Sequence, residues 1–151
     1  MKLEQAIQQT DFSSEELKLS LNLIYTFSWY EDVQKKYFSS YGITQQQYNV
    51  LRILRGRFPE AYSTSQIRDR MLDKMSDVSR IVDRLVKKEL VVRTTATYDR
   101  RLVDVVVSDK GLLLLDKMDE TIEENVKQPF KNFSEEEKNE FYRLLDKMRE
   151  N

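Results

Sequence analysis

The chain has 151 residues, 40% hydrophobic and 34% charged, with a net charge of −1 and neither cysteine nor histidine. The missing cysteine removes disulfides, thiol redox sensing and thiolate metal ligation, and the missing histidine removes Ser–His and Cys–His nucleophile activation. An enzyme would have to work with carboxylates, lysines and tyrosines alone, and no convergent set is visible, so no catalytic residue, metal site or cofactor is expected.

This length suits one domain, which buries roughly 70% of its unfolded surface. Three glycines and two prolines leave room for long helices. The apolar run Leu112–Leu115 stops at Asp116, far short of a membrane span. The polar start (Glu4, Gln5, Gln8, Gln9) is not that of a signal peptide. A cytoplasmic protein without membrane contact is expected.

The first long helix is expected over about residues 13–41. Leu17, Leu21, Ile24 and Ser28 mark one face, and Leu19, Leu23, Phe27, Tyr30, Tyr37 and Tyr41 mark another. A helix apolar on two sides must bury two sides, more than a monomer of this size usually demands. Gly42 suits the left-handed residue that closes such a helix.

Thr44 to Gln47 has the form of a capping box, opening a helix whose buried stripe is Tyr48, Val50, Leu51 and Leu54. A break at Arg57–Glu60 follows. A second capping box, Ser63 to Gln66, opens a short helix with Ile67, Met71 and Leu72 inward, and Asp73–Lys74 turns into the next one. There Val78, Ile81, Val82, Leu85 and Val86 form one stripe, so Ser76, Asp77, Arg80, Arg84 and Lys87 face outward.

Two short helices with a tight turn between them describe a helix-turn-helix. Val91–Thr95 and Leu102–Val107 are rich in β-branched residues and predict a hairpin, tipped by Asp99, Arg100 and Arg101. A helix leading into a basic-tipped hairpin is the layout of a winged helix, in which one element fits the major groove of DNA and a loop arginine can enter the minor groove. A further long helix carries Leu112, Leu115, Met118, Ile122 and Val126 until Pro129. Ser134, followed by three glutamates, caps the last, whose apolar residues are Phe141, Leu144, Leu145 and Met148.

Charge divides along the chain. Residues 66–101 carry ten Lys/Arg against six Asp/Glu, whereas residues 108–151 carry eight against twelve. A basic reading surface on an acidic body suits DNA, because phosphate attraction acts within a Debye length.

Ser79–Lys88 (SRIVDRLVKK) with Leu90–Arg93 (LVVR) resembles the recognition-helix signature of MarR-family regulators. So does Asp99-Arg100-Arg101, followed by the valine strand and Ser108-Asp109-Lys110-Gly111. The order of elements agrees from about residue 13 to 150. Two departures are visible: Glu89 stands where a glycine is usual, and Val107-Ser108 replaces Leu-Thr. The resemblance implies a mainly α fold with a small β-hairpin wing. One domain is expected over 1–151: a winged helix-turn-helix at about 44–107, flanked by dimerisation helices at about 13–41 and 109–150. It also implies a homodimeric transcriptional regulator, commonly a repressor released by a small-molecule effector, on a pseudo-palindromic double-stranded operator.

By the same resemblance, Arg101 is the wing arginine for a narrow minor groove, Asp99 fixes an arginine's fork and Arg100 meets a phosphate. An ordinary charged turn is the competing reading. Ser76 and Arg80, near the start of the recognition helix, are candidates for base edges. Asp77 is either a cytosine acceptor or a helix cap. Ser79, Arg84 and Lys87, with Arg68 and Lys74 from the preceding helix and turn, are candidates for phosphates, against a merely solvated face. The aromatics Tyr25, Phe27, Trp29, Tyr30, Tyr37, Phe38 and Tyr41 fit core and dimer packing better than an effector pocket, and no effector residue is assigned. Asp119, Glu123 and Glu124 fit a solvated face better than a metal site. The alternative function is a winged-helix protein-interaction module with no operator of its own.

Overall fold

The computed structural model describes residues 1–95 and 103–150. In chain order these form helix α1 (Leu3–Ile7), α2 (Glu15–Ser40), α3 (Gln45–Arg55), strand β1 (Tyr62–Ser63), α4 (Thr64–Arg70), α5 (Val78–Lys87), β2 (Val91–Thr95), β3 (Val103–Val107), α6 (Asp109–Lys127), a 3-10 turn at Gln128–Phe130 and α7 (Glu135–Arg149). Among the described residues no helix is long and apolar enough to cross a membrane.

The helix ends form as the sequence predicts. Thr44, Ser63 and Ser134 each accept the backbone N–H three residues on, and Gln47, Gln66 and Glu137 return the bond. Helix α2 closes on Gly42 at φ 70°: its N–H donates to the Ser39 carbonyl and that of Ile43 to the Phe38 carbonyl, the paired bonds of a Schellman motif.

The core gathers around α3, whose Val50, Leu51 and Leu54 are fully buried. Ile67 and Met71 join from α4 and the residue after it, Val78, Val82 and Leu85 from α5, Val105 and Val107 from β3, and Leu115 and Met118 from α6. The sheet is antiparallel with order β1-β3-β2, pairing Tyr62 with Val105 and Val91 with Val107. It therefore has one strand more than the predicted hairpin, because the residues just before the Ser63 cap add a short edge.

Within the single chain four expectations of burial go unmet. Leu72 is 84% exposed rather than inward, since α4 ends at Arg70 and the backbone is extended at Met71, which breaks the helical period. Val126 is exposed at the last turn of α6. Helix α7 buries no residue: Phe141, Leu144 and Met148 are all exposed, and its main packing here is an aromatic cluster of Phe130, Phe133 and Phe141 with ring centroids 5.8–6.4 Å apart. Helix α2 likewise leaves Leu19, Leu23, Ile24, Phe27 and Trp29 uncovered.

Candidate nucleic-acid interface

Helix α5 has one wholly buried edge, Val78, Val82 and Leu85, and an opposite face of Ser79, Arg80, Asp83, Arg84 and Lys87 open to solvent. Its N-terminus is fixed twice. Asp77 caps it, one carboxylate oxygen accepting the Arg80 N–H at 3.2 Å, so the cap reading of Asp77 is the one observed. In the preceding turn Asp73 accepts the Met75 N–H at 2.9 Å and the Ser76 hydroxyl at 2.7 Å, while Lys74 Nζ donates to the Asp69 carbonyl at 2.6 Å.

The far end of α5 is equally determined. Glu89 takes the left-handed position at φ 62° that glycine would occupy without strain. The turn keeps its bonds nonetheless, with Glu89 N–H to the Val86 carbonyl and Leu90 N–H to the Leu85 carbonyl. Two contacts hold it against α6. Lys110 Nζ meets the Glu89 carboxylate at 2.8 Å, and the Ser108 hydroxyl donates to the Glu89 carbonyl at 2.7 Å while accepting the Gly111 N–H at 3.1 Å. Gly111 permits this approach: a Cβ there would overlap the Leu90 carbonyl oxygen and stand 2.8 Å from Val107 Cγ2.

The structure sorts the basic residues. Lys88 Nζ donates to the Gly42 carbonyl, and Arg93 pairs with Asp83 at 2.6 Å. Arg52 and Arg55 converge on Asp119, Arg55 with both nitrogens at 2.7 and 3.1 Å. These four hold the fold together. Arg80 lies 3.6 Å from Asp77, a loose and exposed pair. The side chains of Arg68, Arg84 and Lys87 are exposed and make no hydrogen bond or ion pair with a described residue. Asp99, Arg100 and Arg101 lie outside the described residues.

Two features were not singled out from the sequence. The Tyr62 ring lies between the guanidinium groups of Arg57 and Arg70, 4.8 and 4.6 Å from its centroid. Met75 stands almost wholly exposed in the turn before α5, three residues ahead of Val78. Residues from an edge strand, a loop and a helix end meet at Tyr62, so no local spacing could have flagged it.

Away from α5, α2 packs on α6 through polar contacts. The Tyr37 and Tyr41 hydroxyls reach Thr121 at 3.0 and 2.6 Å, and Asn125 Nδ2 donates to buried Gln34 Oε1 at 3.1 Å. A cleft of ≈480 Å³ opens where α2, α3 and α6 meet, lined in part by Tyr30, Gln34, Phe38, Tyr48, Arg52 and Ile122. Phe38 is core, as the packing reading expects, but Phe27 and Trp29 are uncovered in the single chain. Asp119 is exposed, as the solvated-face reading expects, and is paired there: the Arg55 hydrogen bond and charge hold its carboxyl below the usual carboxylate range.

A three-helix core with a strand-edged hairpin behind an exposed, basic second helix defines the winged helix-turn-helix class. The MarR family model matches residues 41–102. The transcriptional regulator PecS of Dickeya dadantii is 32% identical over 114 residues, covering 75% of this chain and 69% of that protein. The crystal structure of a MarR transcription factor from Planctomyces limnophilus superposes with a TM-score of 0.70 at 33% identity, over 90% of this chain and 98% of that one. The crystal structure of a mutant MarR from E. coli complexed with operator DNA gives 0.78 over 93% and 100%, and at 21% identity speaks to the fold alone. This chain belongs to the MarR family: it is a DNA-binding transcriptional regulator and not an enzyme.

Proposed function

We propose that the chain acts as a homodimeric repressor, its terminal helices interleaving with those of a second copy so that two winged helices face successive major grooves. The observation that carries this reading is the pairing of two surfaces. One is the exposed basic face of α5; the other is the uncovered apolar row Leu19, Leu23, Ile24 and Phe27 on α2, with Phe141, Leu144 and Met148 on α7. Exposed apolar side chains clustered in this way support an interface there. The α2 and α6–α7 segments are then the dimerisation part and residues 44–107 the reading part.

In this reading Arg68, Arg84, Lys87 and Arg100 neutralise phosphates, Arg80 reaches a base edge, and Arg101 enters the minor groove with Asp99 holding its fork. Ser79 sits on the same face for a phosphate oxygen. Ser76, Lys74 and Asp77 contribute chiefly by fixing the start of α5, through the bonds already described. The cleft between α2, α3 and α6 touches both parts, which supports a small-molecule effector acting there.

The test is selection of binding sites from a randomised duplex pool, with anisotropy titration of the selected sequence. Two half-sites about 34–36 Å apart and one dimer per duplex are expected. Binding indistinguishable from unrelated competitor DNA would instead indicate a wing used for protein contacts.

A further inference from the structure

In the turn that leads into α5 the polar side chains are hydrogen-bonded, while two apolar ones, Leu72 and Met75, stand open to solvent. Asp77 caps the helix, Ser76 donates to Asp73, and Lys74 is drawn back to the Asp69 carbonyl. Between them Met75 is 92% exposed. Met71 and Met118, by contrast, are buried in the core. The exposure of Met75 is not that of a loose loop: Asp73 holds its N–H at 2.9 Å and the hydroxyl of the next residue at 2.7 Å, so the backbone presenting the side chain is fixed.

The position has a defined surrounding. Met75 lies two residues ahead of the Asp77 cap, adjacent in sequence to the N-terminal residues of the recognition helix, which meet base edges in the major groove. In that groove the apolar mark is the C5-methyl group of thymine, and apolar side chains discriminate through it. Methionine, unbranched and polarisable, adapts to such a contact. Arg80 and Arg84, exposed on α5, supply charge that draws the DNA alongside.

We infer that Met75 is a specificity-determining residue that reads a thymine methyl group in each half-site of the operator. This rests on α5 being the recognition helix, and the experiment separates the two claims. The probe is the duplex selected from the randomised pool by the wild-type chain, remade with each thymine in turn replaced by deoxyuridine, which removes only the methyl group. One thymine per half-site should weaken wild-type binding about fourfold when demethylated, the equivalent of about 0.8 kcal/mol for one buried methyl-sized group. Met75→Ala should bind the thymine and uracil duplexes equally, whereas Met75→Leu should keep most of the discrimination. Both variants should melt with the wild type, since the side chain packs on nothing in the core. If no thymine shows a methyl effect, or if the effect persists in Met75→Ala, Met75 does not read the base, even though α5 binds the duplex. If the pool yields no selected duplex, the recognition-helix reading itself fails and this assignment with it.

Discussion

At Glu89 and Gly111 two neighbouring positions carry opposite backbone demands. Glu89 holds a left-handed conformation that costs an L-residue about 1–2 kcal/mol, and its pair with Lys110 is exposed and screened by solvent. Glu89→Gly should therefore raise the urea midpoint, stabilising by about 1 kcal/mol without changing the slope of the transition. Gly111 shows the reverse case. Its hydrogen lies where a methyl group would meet the Leu90 carbonyl and Val107, both held by the sheet and the turn. Gly111→Ala should destabilise by about 3 kcal/mol, the upper end of overpacking costs, and the same urea titration reads it. Sequence comparison with the family marked Glu89 as a departure; only the coordinates explain why the turn survives, through Lys110 and Ser108.

Helices α3 and α6 are joined across the body by Arg55 and Asp119, with Arg52 adding a third contact at 3.3 Å. Because Arg55 depresses the Asp119 carboxyl in the folded chain, the unfolded carboxyl takes its proton at the higher pH. The stabilisation is present above about pH 4, the ordinary carboxylate value, and is lost as pH falls through the folded value below it. Asp119→Asn should be less stable than wild type at pH 6, and the difference should narrow on acidification below pH ~4; a constant difference would mean that the pair contributes nothing charge-dependent. At this scale the sequence is most legible. The capping boxes at Thr44 and Ser63, the Ser134 cap and the stripe Val78, Val82, Leu85 are local patterns, and local patterns are what periodicity and capping record. Leu72 is exposed because α4 ends at Arg70, two residues before it, which removes the helical period that would bury it. The two-residue strand at Tyr62 is too short to alternate. The division of the basic residues into braces (Arg52, Arg55, Lys88, Arg93) and an open face (Arg68, Arg84, Lys87) depends on partners far away in sequence, which spacing cannot show.

For the whole molecule, the long apolar faces of α2 and α7 have no counterpart among the described residues, and the proposed dimer would supply one from a second copy. Leu19→Asp combined with Ile24→Asp should convert a particle of twice the chain mass to a monomer in sedimentation, with a melting temperature that no longer depends on concentration. A wild-type chain already monomeric at micromolar concentration would remove the dimer from the account. The central claim is that the open face of α5 meets DNA phosphates, and salt dependence tests it most directly. Affinity for the selected duplex should be titrated against salt for wild type and for Arg84→Ala with Lys87→Ala. Each phosphate contact contributes about 0.9 to the slope of log affinity against log salt. The account predicts that the variant loses about two from that slope per chain engaged and binds every sequence more weakly, with an unchanged fold. An unaltered slope and affinity would contradict it, and would place the DNA contact elsewhere than on α5.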